Sequence, residues 1–335
     1  MTASLRASGD EELRRCLEGA LTEVAKGARV VGLVRRPFAY ETSFAIDELR
    51  VRLDDGAELD LLVKDVGAGL SETAAATKPS RALDPRREIA VYRSLLRPSE
   101  VPAPRFHGAV EDADSGRAWL ILERVPGEVL ADEGDSAVWR AAATWAARLD
   151  DAVKEQLDPA VEGLLLHRDR EWHEHWLAAA IAACEGSKRT GLAARLRGSG
   201  GDLLDRLEGL PRAFVHGELY ASNVIVARQE SAEAVQVKPV DWEMAGTGPF
   251  ALDLAALVTG WTDADREAMC EAFHAALPGE MASALSLGDL GEAVSLCELA
   301  LALQWLGWAS DWQPPAEHRR DWAAEAGRLL EEAGL

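Results

Sequence analysis

The chain opens on helical spacing and then changes period. Leu13, Leu17, Leu21 and Val24 recur at helical intervals, so a helix is predicted over residues 10–26, entered through Ser8-Gly9-Asp10. From residue 30 apolar and polar positions alternate instead, through 30–34, 44–53 and 58–66. Asp54-Asp55-Gly56-Ala57 supplies a hairpin turn between the last two runs. A loop rich in Ala, Ser and Thr follows at 67–80. A short helix is then predicted over 85–96, with a proline near its start and Ile89, Tyr92 and Leu96 on one face. Residues 101–110 and 118–125 read as two further strands joined by a turn at 111–116.

After Pro126-Gly127 the pattern becomes mainly helical. Helices are expected over 136–153, 171–184, 192–207, 253–258, 263–276, 290–311 and 316–332, and short β-like pieces at 213–215, 223–227 and 235–240. Gly198-Ser199-Gly200-Gly201 reads as a linker between helical segments. The predicted plan is α+β: a small antiparallel sheet lobe over 1–125, a connector at 123–127 and a large helical lobe over 126–335. Antiparallel order is chosen over a βαβ series because the first strands follow one another through tight turns.

Composition narrows the class. The chain has 335 residues, 48% of them hydrophobic, enough for a sizeable core without staples. Its four cysteines are scattered with no Cys-x-x-Cys pair, which argues against a zinc site or a disulfide framework. Residues 1–13 are polar and lack a signal-peptide core, and the apolar stretches 250–261 and 296–309 are interrupted by Asp253 and Glu298 and look too short to span a membrane. A cytoplasmic protein is expected. The net charge of -21 disfavours nucleic acid and anionic membranes as partners. Residues 1–125 hold 19 basic and 21 acidic side chains, and the remainder 17 and 36. The acid excess therefore lies in the helical part, where it serves solubility or attracts a cationic small molecule.

The chemistry concentrates in His216-Gly217-Glu218-Leu219-Tyr220-Ala221-Ser222-Asn223 and in Val240-Asp241-Trp242-Glu243. A carboxylate and an amide five residues apart, followed by an acid after the next apolar run, can set a proton acceptor beside a Mg²⁺ site. That is the working part of a phosphoryl-transfer centre. No Walker-type Gly-x-x-x-x-Gly-Lys occurs.

These segments resemble the aminoglycoside phosphotransferase branch of the protein-kinase-like family. The resemblance is carried by LLVKDV (61–66), REIAVYRSLL (87–96), WLILERVPG (119–127), FVHGELYASNVIV (214–226) and PVDWEMAGTGPFALDLA (239–255), of which the last two are specific. It implies a bilobal kinase-like fold and transfer of phosphate from ATP, with Mg²⁺, to a hydroxyl of a small molecule. Lys64 would reach the α- and β-phosphates and pair with Glu88. The turn 38–44, with Thr42 and Ser43, would cover the phosphates, and the backbone of the hinge through Glu123 and Val125 would meet the adenine edge. Asn223 and Asp241 would hold the metal, and Glu243 is either a second metal acid or a surface acid. Asp253 would brace the catalytic loop or cap a helix.

Glu218 departs from the family, which has Asp there. The extra methylene extends the side chain by about 1.5 Å. A misplacement of that size costs on the order of a hundredfold in rate unless the site is set back to match. Either the site is built for the longer base or the protein is an impaired nucleotide binder. The acceptor is an aminoglycoside-like or other glycosylated natural product, or a primary metabolite such as choline, homoserine or a sugar; a resistance role and a biosynthetic one both stay open.

Two other patterns look like chemistry. His167-Arg168-Asp169 spells the protein-kinase catalytic triplet, but position 174 is Glu rather than Asn, and the match is read as coincidence. In Trp172-His173-Glu174-His175-Trp176 the histidines lie two apart, on different helix faces, which suits no metal. Ten of the eleven tryptophans follow residue 125; Trp305, Trp308 and Trp312 share a helix face that packs in a core or walls a ligand pocket.

Overall fold

The computed structural model describes residues 5, 8–21, 27–38, 44–67, 79, 82, 84–99, 101–228, 235–308 and 320–335. Thr42, Ser43 and Trp312 lie outside them. The first part is a five-stranded antiparallel sheet in the order β1-β2-β3-β5-β4, made of β1 (Val30–Pro37), β2 (Ala45–Leu53), β3 (Glu58–Asp65), β4 (Phe106–Asp112) and β5 (Arg117–Glu123). The β2–β3 hairpin closes as its residues dictate. Gly56 takes φ +90° and its N–H donates to the Leu53 carbonyl at 3.1 Å, while the Ala57 N–H meets Asp55 Oδ1 at 2.9 Å.

Alternation along β5 sorts its side chains to two faces. Trp119 and Ile121 pack with Leu13 and Leu17 of α1 (Asp10–Ala20) and with Val51, Leu61 and Val63. Leu120 and Leu122 turn the other way, toward Ile89 of α2 (Arg86–Ala90) and Tyr92 of its π-helical continuation Val91–Leu96. The sheet is thus sandwiched between two helices. One of them carries Glu88 toward the rest of the molecule.

The second part is helical around two small three-stranded sheets. One pairs β6 (Glu128–Val129), β9 (Val224–Arg228) and β10 (Val235–Pro239); the other has β7 (Leu166–His167) parallel and β8 (Arg212–Val215) antiparallel to β11 (Gly246–Pro249). The longer helices are α3 (Ser136–Val153), α4 (Arg170–Gly186), α5 (Thr190–Glu208), α6 (Leu252–Val258), α7 (Asp263–Ala276), α8 (Leu287–Trp308) and α9 (Trp322–Glu332). Asp135 starts α3 by accepting the Ala137 N–H at 2.8 Å, and Asp169 starts α4 by accepting that of Trp172 at 3.0 Å.

Three expectations are corrected. Residues 198–201 are no linker but the middle of α5, because the helices approach closely there: a Cβ on Gly200 would stand 2.7 Å from Leu177 Cδ2 of α4. β6, β7 and β11 were not expected, since each is too short to show a period. Helix α8 runs 22 residues and is long and apolar enough to cross a membrane, yet 78% of its apolar window is buried inside the molecule. It is the core helix against which α4 and α9 pack. Trp305 and Trp308 lie in that core, with Trp305 stacked on Trp322 at 5.4 Å between centroids.

Candidate active site

The two parts meet at Lys64. Its position on β3, opposite Ile46 of β2 and Leu120 of β5, points the ammonium out of the sheet toward the helical part. There Nζ lies 2.7 Å from Glu88 Oε2 and 2.5 Å from Asp241 Oδ1, and 4.9 Å from the centroid of the Phe44 ring. Burial opposes the charge on Lys64, but the carboxylates of Asp241, Glu88 and Glu243 outweigh it and hold the ammonium well above its usual pKa. Glu88 feels the reverse balance. Burial raises its carboxyl to about 7, against the pull of Lys64.

Asp241 has φ 68° and ψ 64°, one of two non-glycine residues with positive φ among those described. This left-handed conformation carries a backbone cost that a site residue commonly bears. It ends the run from β10 and starts the tight turn Trp242–Met244. The turn is held by its neighbours: the Trp242 N–H donates to Glu88 Oε1 at 3.3 Å, and the indole Nε1 donates to the Pro239 carbonyl at 3.2 Å. Glu243 is buried beside this cluster.

The loop from His216 to Asn223 is built from its own hydrogen bonds. Asp253, in the first turn of α6, accepts the backbone N–H groups of His216 at 2.7 Å and Gly217 at 2.8 Å. It is therefore a brace for the loop, and the helix-cap alternative does not hold. Burial raises its carboxyl to about 6 against those two hydrogen bonds. His216 bonds through Nε2 to the Val240 carbonyl at 2.9 Å, and burial lowers its pKa to about 4, so the ring stays neutral and structural. The Asn223 carbonyl accepts the Val240 N–H at 2.8 Å, tying the end of the loop to the segment that carries Asp241.

Asn223 Nδ2 donates to the Glu218 carbonyl at 3.0 Å, so its amide oxygen is the atom left for a cation. Glu218 itself is mostly buried, its N–H donating to His216 Nδ1 at 3.3 Å. The described residues contain no group of three or more His, Cys, Asp or Glu able to enclose a metal. One carboxylate and one amide oxygen fit a hard divalent ion that completes its shell with phosphate oxygens and water.

Glu123 ends β5 and faces the second part: Lys238 Nζ of β10 lies 2.9 Å from its Oε2, and the Arg105 N–H donates to the same oxygen at 2.9 Å. Burial works against its charge, yet these partners hold its pKa below the usual value. Val125, half-buried, follows just past the strand. Two buried arginines complete the surroundings and were not picked out as functional from the chain. Arg87 precedes Glu88, and Arg168 belongs to the triplet read as coincidence. Asp169 of that triplet caps a helix, and Arg168 lies against the loop: a Cβ on Gly217 (φ +87°) would stand 1.9 Å from Arg168 Nη2. The trace in the sequence is the His167-Arg168-Asp169 triplet itself, which follows the apolar run Leu164-Leu165-Leu166.

Known proteins share this fold. The family model described as the phosphotransferase enzyme family, APH, matches residues 45–284. Among solved structures, a putative fructosamine-3-kinase from Thermobifida fusca YX-ER1 is 19% identical over 97% of this chain and 99% of its own, with TM-score 0.56. The GDP complex of wild-type aminoglycoside 2'-phosphotransferase-IIIa is 13% identical over 96% and 98%, with TM-score 0.56. A microcompartment-associated aminopropanol kinase is 17% identical over 90% of each chain, with TM-score 0.55. At such identities the likeness is one of fold. No curated protein matches the chain. With a family model spanning most of its length and a bilobal kinase-like architecture, the chain belongs to the APH phosphotransferase enzyme family and is a small-molecule phosphotransferase.

Proposed function

We propose that the protein is an ATP-dependent kinase that phosphorylates a hydroxyl of a small cationic acceptor, an aminoglycoside-like or other glycosylated amine. The observation that carries this is the meeting of Lys64, Glu88 and Asp241 across the lobes, within 2.7 Å of one ammonium. The lobes would divide near residue 125, with the nucleotide between them, its adenine edge at the backbone of Glu123 and Val125. Support for the acceptor class comes from the acid-rich helical part and from a neighbour solved with GDP and kanamycin. Four free cysteines suit a reducing cytoplasm.

In this reading Lys64 takes the α- and β-phosphates and Glu88 keeps it aimed. Asn223 and Asp241 are the residues that would hold Mg²⁺, with Glu243 beside them; the ion, when bound, neutralises charge on the β- and γ-phosphates. Glu218 accepts the hydroxyl proton as the oxygen–phosphorus bond forms and the bond to the leaving ADP breaks. No covalent intermediate on the protein is required.

Glu218→Ala should lose transfer by about 10²- to 10⁴-fold while nucleotide binding, read by calorimetry, stays near wild type. Turnover left intact would remove Glu218 from this role. A panel of aminoglycosides, macrolides, sugars and amino alcohols assayed for ADP release identifies the acceptor. Absence of both nucleotide binding and ADP release throughout the panel would refute the proposal.

A further inference from the structure

The turn 242–244 is gripped from two sides by guanidinium groups that are almost wholly inside the molecule. Arg87, 2% exposed, donates from Nε to the Leu164 carbonyl at 2.7 Å and from Nη1 to the carbonyls of Ala82 at 3.1 Å and Glu243 at 2.8 Å. Arg168, 1% exposed, donates from Nη2 to the Met244 carbonyl at 2.5 Å. The Gly217 backbone presses on that last contact, since a Cβ there would also stand 2.4 Å from the Met244 oxygen. One guanidinium therefore links the helix carrying Glu88 to the turn, and the other links the end of β7 to the turn while packing against Gly217 of the loop carrying Glu218.

We propose that Arg87 and Arg168 are positioning residues: together they clamp the carbonyls of Glu243 and Met244 and so set where Asp241 stands relative to Glu88 and Glu218. Burial lowers the pKa of both guanidiniums, that of Arg168 to about 10, so each is held at a cost that ordinary packing would not require. The acceptors explain the residue type. Backbone carbonyls in separate segments, at 82, 164 and 243, need one rigid fork with several donors, which arginine has and lysine lacks. The consequence is a metal-acid turn that is assembled before any ligand arrives, in place of one that swings in on activation.

The proposal rests on the phosphotransfer reading for its catalytic meaning, but its test does not. Hydrogen exchange of the nucleotide-free protein is followed in Arg87→Met, Arg168→Met and the two lysine variants. Amides in 242–246, among them Trp242 and Ala245, should exchange about tenfold faster or more in both methionine variants, while those of β2 and β3 keep wild-type protection. Arg168→Lys should retain most protection because one donor suffices for Met244; Arg87→Lys should not, because a single ammonium cannot occupy the places of both Nε, which meets Leu164, and Nη1, which meets Ala82 and Glu243. Unchanged exchange at 242–246, or acceleration spread evenly over the chain, overturns the clamp. If the methionine variants fail to fold, the lysine pair decides: equal protection in Arg87→Lys and wild type overturns it. In the same variants kcat should fall with little change in nucleotide KM, and a failure of wild-type protein to transfer phosphate would instead count against the proposed function.

Discussion

Asp241 and Asp253 stand a dozen residues apart, on either side of the same loop, and the protein uses them in opposite ways. Asp253 is 3% exposed and directs both oxygens at backbone N–H groups of His216 and Gly217. Each of its oxygens is engaged within the fold. Asp241 keeps a side chain 27% exposed, on a left-handed backbone, with its charge met by a lysine from the other lobe. Lysine is a mobile point charge that can turn to a phosphate, whereas backbone N–H groups cannot move away. The difference separates an acid that holds the loop's shape from one that, in the proposed function, would turn to a metal ion.

The same substitution at both positions gives the widest separation. Asp241→Asn should cut phosphate transfer by about a thousandfold, the effect of removing one preorganised charge. Stability should change by less than about 1 kcal/mol, because Lys64 still faces Glu88 and Glu243. Paired ADP-release and denaturation assays check both numbers; a large loss of stability would place Asp241 in the structural class with Asp253.

Asp253→Asn should do the reverse. At most one of the two N–H groups keeps an oxygen partner, a cost of about 1–3 kcal/mol in stability, with a much smaller loss of rate. The cost should depend on pH. Asp253 has its carboxyl raised from 3.8 to about 6, so the stability it contributes is present in full below pH 4 and is lost as pH rises through 6. The gap between wild type and variant should therefore narrow as pH rises from 4 to 7. Melting curves across that range test the sign, and a widening gap would refute it.

The smallest effect concerns the far side of the loop. Trp305 Nε1 of the core helix α8 donates to the Tyr220 hydroxyl at 2.9 Å. Trp305→Phe should cost about 1 kcal/mol in stability and shift acceptor KM rather than nucleotide KM. An altered nucleotide KM would show that the brace at Asp253 does not isolate the metal side from the aromatic side.

Much of the fold was legible along the chain. The bounds expected for the helices over 136–153 and 263–276 coincide with those observed, because their apolar stripes are long and regular. The β2–β3 hairpin was readable from Asp54-Asp55-Gly56-Ala57 and strict alternation. Residues 198–201 misled, because glycine propensity is local and the contact with Leu177 that keeps the helix continuous is not. In the site, Lys64, Glu88 and Asp241 could be named from their flanking motifs and do converge. Arg87 and Arg168 could not, since an arginine normally lies at the surface and nothing adjacent reveals which carbonyls will surround it.

The sequence by itself determined the order of elements, the alternation that gives the sheet two faces, and the loops that bear acids and an amide, because these depend on neighbours within a turn or two of the chain. Tertiary structure alone decided which acid is consumed as a brace and which faces the lysine, and which arginines are drawn inside. Charge state and availability follow from distance through space, and Lys64 finds Asp241 across 177 positions of sequence.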